Sequence, residues 1–190
     1  RPPFITSTLQ QAASSRLGFP PSRTMSIAQK LYESGLITYM RTDSPSISTT
    51  AVPQIAVVVE KMYGKEYLQV RTYASKSKNA QEAHEAIRPT SFANDHAGHN
   101  PEQQKLYRLI WERTVASQMA DAKIMKTKVS ANVAGESIPN FSTTGSRVLF
   151  PGWLKADPDA IGEEVTVPKV QSGEKLDLLS ITSDEKFTEP

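Results

Sequence analysis

The chain has no cysteine, which excludes disulfides, thiolate metal sites and cysteine nucleophiles together. Three histidines are too few and too poorly spaced for an obvious zinc site. His84-Glu85 opens like a zincin motif, but position 88 is Arg rather than a second His. No apolar run approaches the ~20 residues that a bilayer-spanning helix needs. No signal-peptide pattern opens the chain, whose start at Arg1 reads as a cut within a longer protein. Internal repeats and low-complexity tracts are absent too. A reducing, cytoplasmic setting fits this inventory.

What is present is a 190-residue chain of ordinary hydrophobic content (38%), long enough for one or two domains with a real core. Its net charge of +2 is unevenly spread. Residues 1–91 carry 11 Lys+Arg against 6 Asp+Glu, and residues 92–190 carry 11 against 14. A basic first half suits a phosphate-rich partner.

The hydrophobic period divides the chain in the same way. Thr6 or Ser7 is expected to cap a helix through Arg16, with Gly18 as its left-handed stop. Ser22 should cap a second helix, with Ala28, Leu31 and Tyr32 on its apolar face and Gly35 at its end. Leu36 to Tyr39 is short and β-prone. A third helix runs from a Thr50 cap to Gly64, with Pro53 in its first turn. Arg71 to Lys78 reads as a loop. A long helix begins near Pro101 and turns Leu106, Leu109, Ile110 and Val115 inward. After Lys123, Thr127, Val129, Ala131 and Val133 alternate with polar residues, as in a half-buried strand. Arg147–Phe150, Glu164–Val167 and Leu176–Ile181 are further candidate strands. The expected class is α+β: a helical domain over 1–123 and an antiparallel β-rich segment over 124–190.

The chemistry concentrates in Gly35-Leu-Ile-Thr-Tyr39-Met-Arg41-Thr42-Asp43-Ser44. If this stretch is extended, Tyr39, Arg41 and Asp43 project from one face. Such a face presents a phenol to a phosphate, with a guanidinium to neutralise the charge that develops during attack. Asp43 and Ser44 read more readily as loop-bracing groups before Pro45 than as catalysts.

Further blocks surround this one: Pro2-Pro-Phe-Ile-Thr-Ser7-Thr8-Leu-Gln10-Gln11, Leu17-Gly18-Phe19, Ala28-Gln29-Lys30-Leu31-Tyr32-Glu33, and Gln81-Glu-Ala-His84-Glu-Ala-Ile-Arg88-Pro-Thr90. Their order resembles the active-site-tyrosine region of the bacterial DNA topoisomerase I family, which is of type IA. The likeness is strongest from Pro2 to Ala122 and continues more thinly through Gly152-Trp153.

The resemblance implies that Tyr39 attacks a DNA backbone phosphate, forms a 5′-phosphotyrosyl link and releases a 3′-hydroxyl. It implies that the intact enzyme nicks one strand, passes the other and relaxes negative supercoils without ATP. Arg41 would bind the phosphate. Glu33, His84, Thr42, Asp43 and Arg88 would contact DNA or organise the site, Arg88 more by bracing its loop than by touching substrate. Residues 124–190 would form part of an arch, or gate, that is incomplete within this chain and leaves a strand edge unpaired or paired with a neighbouring molecule. Mg²⁺ and its acidic ligands are expected in another domain of the intact enzyme, so the chain alone should be inactive. The expected partners are single-stranded or negatively supercoiled DNA and that acidic domain, with no membrane. Two other readings stay open: a single-strand-binding module in which Tyr39 stacks on bases, and a purely structural piece of a gate.

Overall fold

The computed structural model describes residues 1–74, 85–135, 137–162, 164–185 and 187. They form four α-helices and a two-stranded antiparallel sheet, an α+β mixture. In chain order these are α1 (Thr6–Leu17), α2 (Pro21–Glu33), α3 (Ala51–Met62), α4 (Pro101–Ala116), β1 (Lys123–Ala131) and β2 (Phe141–Phe150). Two compact units result: residues 1–123 with 149–162, and residues 124–148 with 163–190. No described helix is long and apolar enough to cross a membrane.

In the first unit α4 is the central helix. Leu106, Leu109, Ile110 and Val115 are buried as their spacing requires, and Tyr107 and Trp111 join them. Helices α1, α2 and α3 pack against it. Its start is set by chemistry legible in the sequence. Pro101 occupies the first turn, and the Asn100 side chain accepts the Gln103 N–H at 3.0 Å. At the end of α1, Gly18 adopts φ 68°, the left-handed stop that glycine supplies.

Other caps differ from expectation. Helix α1 begins at Thr6, but the Thr6 hydroxyl caps nothing, because it is bonded to the Tyr39 segment. Thr8 instead accepts the Ile5 N–H at 3.1 Å. Helix α2 begins at Pro21 with Pro20 before it, so Ser22 lies inside the first turn rather than at the cap. Thr50 does precede α3, yet its side chain makes no capping bond. Tyr32 also departs from the expected apolar face of α2. Ala28 and Leu31 are fully buried, whereas Tyr32 is exposed.

Residues 151–162 carry no periodic signal, and the stretch 149–162 folds with the helical unit through both side-chain and backbone contacts. Phe150 stacks on Tyr67 at 5.0 Å. Gly152, at φ 51°, lies so close to Ala120 and Asp121 that a Cβ would collide with their backbone. The Trp153 N–H then donates to the Ala120 carbonyl at 2.9 Å. Asp157 is buried beside Arg16 of α1 and Arg113 of α4.

In the second unit β1 pairs with β2, its one partner strand among the described residues. The expected half-buried face of β1 is not observed. Only Val129 and Ala131 are partly covered, while Thr127 and Val133 are exposed, because a two-stranded ribbon has no second layer to cover it. Val165 forms a single antiparallel bridge with Ser146, so the expected strand at Glu164–Val167 shrinks to one bridge. Leu176–Ile181 forms no strand, and Leu178 and Leu179 lie exposed.

Candidate active site

The Tyr39 segment is extended, and its burial alternates residue by residue. Tyr39, Arg41 and Asp43 are exposed, while Met40, Thr42 and Ser44 are buried. Period-two alternation therefore places phenol, guanidinium and carboxylate on one solvent-facing side. The segment is not part of a regular sheet. Short stretches of chain hold it instead.

At its start, Ile37 bridges antiparallel to Pro89, and the Thr38 N–H donates to the Arg88 carbonyl at 2.9 Å. The Thr38 hydroxyl donates to the Ala86 carbonyl at 2.7 Å and accepts the Arg88 N–H at 2.9 Å. Thr90 closes the pairing through its N–H to Leu36 and its hydroxyl to the Gly35 carbonyl. Further on, the N-terminus of α1 takes over. The Thr6 hydroxyl donates to the Met40 carbonyl at 2.8 Å, and the Thr6 N–H donates to the Thr42 carbonyl at 2.9 Å. Tyr39 thus sits where support passes from residues 86–90 to α1.

The other expected site residues fall at varied distances from this face. Arg88 is inward and local. It donates through Nε and Nη2 to the Glu85 carboxylate at 2.7 and 3.1 Å, and through Nη1 to the Pro89 carbonyl at 2.9 Å. The Ser48 N–H also donates to Glu85 at 3.1 Å. Burial pushes the Glu85 carboxyl upward, but Arg88 and the Ser48 N–H outweigh it, and its pKa lies below the ordinary carboxylate value. Glu33, the last residue of α2, is exposed and accepts a bond from Gln29 at 2.7 Å. Thr42 accepts the Ser44 N–H at 3.0 Å, a role internal to the segment. His84 lies outside the described residues.

A shallow groove of ≈ 450 Å³ adjoins Arg41. Arg41, Thr42 and Asp43 line one side, and Ile5, Thr6, Ser7 and Gln10 of the α1 start line the other. The chain contains one Asp-x-Asp spacing, at Asp157-Pro158-Asp159. Asp157 pairs with Arg16 at 2.7 Å, so its charge is already met by a cation. Among the described residues no group of three or more His, Asp or Glu has metal-holding geometry.

An exposed phenol and an exposed guanidinium thus share one face of the helical unit. The family model for DNA topoisomerase matches residues 1–190. DNA topoisomerase 1 of Mycobacterium tuberculosis (strain ATCC 25618 / H37Rv) is 46% identical over 209 residues, covering 100% of this chain and 22% of that protein. The Streptomyces coelicolor protein of the same name is 47% identical over 203 residues, covering 99% and 21%. Full-length topoisomerase I from Thermotoga maritima superposes with a TM-score of 0.74 at 35% identity, over 91% of this chain and 29% of that one. The chain belongs to the bacterial type IA DNA topoisomerase I family. It spans about a fifth of the length of the curated relatives it matches.

Two contributors were not visible as site residues in the sequence. Thr6 was expected as a helix cap and instead ties down the segment between Met40 and Thr42. Tyr32, expected on the apolar face of α2, meets Tyr39 edge to face. Only the Tyr-x-Arg alternation carried a local signal.

Proposed function

We propose that this chain supplies the nucleophile of a type IA DNA topoisomerase, with Tyr39 attacking a phosphate in one strand of DNA. The exposed face shared by Tyr39, Arg41 and Asp43 carries the reading. The phenol loses its proton, a bond forms between Oη and phosphorus, and the bond from phosphorus to the 3′-oxygen breaks. That oxygen takes up a proton. A 5′-phosphotyrosyl link and a free 3′-hydroxyl result. One phosphodiester has replaced another, so little free energy is lost and resealing runs without ATP. Passage of the second strand before resealing relaxes negative supercoils.

Arg41 binds the scissile phosphate by charge-assisted hydrogen bonds that strengthen as charge builds on its oxygens. The groove beside it accommodates adjoining backbone, where the first turn of α1 presents the positive end of its dipole. Arg88 and Glu85 hold the chain that pairs with Thr38 and so keep the segment in register. The described residues do not fit a magnesium ion, and no step here runs through one. Mg²⁺ and the carboxylates that hold it are assigned to an acidic domain elsewhere in the longer, cytoplasmic protein, and single-stranded or negatively supercoiled DNA is the substrate.

Tyr39→Phe removes only the hydroxyl. In the full-length protein it should abolish the covalent DNA adduct while leaving oligonucleotide affinity within about twofold, since uniform binding is untouched. An adduct that survives on a denaturing gel sinks the assignment.

A further inference from the structure

Tyr32 stands in the last turn of α2, seven positions before Tyr39 in sequence. The two ring centroids are 5.2 Å apart with planes inclined at 66°, an edge-to-face pair. Neither ring is buried: Tyr32 is 41% exposed and Tyr39 43%. Core packing therefore does not explain why they meet. Tyr32 lies off the buried side of α2, where Ala28 and Leu31 do the packing.

The backbone on both sides of Tyr39 is tied by hydrogen bonds, but those bonds do not fix its side-chain torsions. A half-exposed tyrosine samples several staggered rotamers about Cα–Cβ, and each points the hydroxyl in a different direction. Among the described residues, the one aromatic ring that meets Tyr39 is Tyr32. An edge-to-face contact favours one ring orientation over the rest.

We propose that Tyr32 is a positioning residue whose ring holds the Tyr39 phenol on the line of attack. The proposal rests on the reading of Tyr39 as nucleophile. In cleavage Oη approaches phosphorus opposite the leaving 3′-oxygen, which departs with a proton. In resealing the 3′-oxygen returns along the same line, gives up its proton, and Oη leaves. A misplacement of about 1 Å costs such a step about 10²-fold. The aromatic pair is strong enough to shift the rotamer population by up to about tenfold. Because the ring contact orients the free phenol and the DNA-linked phenol alike, it changes both rates and leaves the balance of cut and sealed DNA alone.

The test uses the full-length protein with Tyr32→Phe, Tyr32→Leu and Tyr32→Ala. Single-turnover cleavage and resealing of an oligonucleotide are measured with its dissociation constant and the melting temperature of each variant. Leu and Ala should slow both directions about tenfold, with affinity, melting temperature and the equilibrium adduct fraction unchanged. Tyr32→Phe, which keeps the ring, should restore both rates. Several results overturn the proposal: full rates with Leu, a loss confined to affinity (base stacking instead), or a fall in melting temperature that accounts for the slowing. Slowing by Phe equal to that by Ala also overturns it, since the hydroxyl rather than the ring would then act. Tyr39→Phe runs in parallel, so an adduct in that variant is recognised as failure of the nucleophile reading and not of the role given to Tyr32.

Discussion

Thr6 and Thr42 are bonded in both directions. The Thr6 N–H donates to the Thr42 carbonyl, and the Thr42 N–H donates to the Thr6 hydroxyl, each at 2.9 Å. The first residue of α1 thereby ties down the Tyr39 segment, and Arg41 lies between Met40 and Thr42, both of which Thr6 contacts. Helix and segment cannot separate without stranding polar backbone in a buried place.

Thr6→Val tests that tie, because it keeps the shape and removes the hydroxyl. The N–H of the buried Thr42 and the Met40 carbonyl then lose their partner, at a cost of about 1–3 kcal/mol. Denaturant midpoints should fall accordingly, and cleavage by the full-length protein should slow with them. An unchanged midpoint would mean that the hydroxyl does not anchor the segment.

Arg41→Ala separates binding from chemistry. Charge on the phosphate oxygens grows toward the transition state, so single-turnover cleavage should fall by about 10²–10³-fold. Affinity for single-stranded DNA should fall less than tenfold, because one contact among many is lost. If affinity drops and the rate of bound complex does not, Arg41 serves only in docking.

These groups differ in how far the sequence announced them. The alternation of Tyr39, Arg41 and Asp43 was legible because period two is a local property. So were the α4 start at Pro101 and the left-handed stop at Gly18, which depend on a few neighbouring residues. Thr6 reads as a cap by local rules because its partners are more than thirty positions away. Tyr32 was assigned to a helix face that its neighbours define but it does not share. The β segment was over-read. Thr127 and Leu178 alternate or cluster like strand residues, yet burial needs a second layer, and sequence period alone does not show whether one is present. Residues 149–162 fold with the helices through Phe150, Gly152 and Asp157, and each of these contacts is non-local.

Glu85 gives the helical unit a specific acid sensitivity. Its folded pKa is lower than the ordinary 4.5 because Arg88 and the Ser48 N–H outweigh the effect of burial. A depressed carboxyl pKa contributes stability that is present above the unfolded value and lost as pH falls through the folded one. The difference in stability between wild type and Glu85→Gln should therefore be constant near neutrality and shrink once pH drops below 4.5. Denaturant midpoints of both proteins across that range check it. A gap that widens on acidification has the wrong sign for this network.

Asp157 anchors the 149–162 stretch by charge. Its carboxylate is fully buried, 2.7 Å from Arg16 and 3.8 Å from Arg113. Asp157→Ala leaves the largely buried Arg113 without its carboxylate and Arg16 with only the longer contacts to Glu112 and Asp159 at 3.7 Å, which costs about 3–5 kcal/mol. Urea unfolding of the chain should show that loss. A change below about 1 kcal/mol would indicate that solvent reaches both arginines once the carboxylate is gone.

The final expectation is that this 190-residue chain does not cut DNA alone. Removing the phenol proton and protonating the departing 3′-oxygen each need a positioned group, worth about 10²–10⁴-fold apiece. Arg41 offers N–H donors and no acceptor, so it takes no proton from the phenol. Glu85 is engaged by Arg88 and Ser48, and Glu33 by Gln29. Asp157 is held by Arg16. Asp43 shares the face of Tyr39 but stands four residues along an extended segment, farther than a direct proton transfer reaches, and His84, outside the described residues, serves at most one of the two steps. Cleavage should therefore require the acidic domain assigned to the longer protein, and mixing that domain with this chain should restore weak activity if the two still dock. The check is to incubate the chain alone with single-stranded oligonucleotide and Mg²⁺ and look on a denaturing gel. A covalent band that disappears in Tyr39→Phe would show that the chain holds a complete site and that no second domain shares the chemistry.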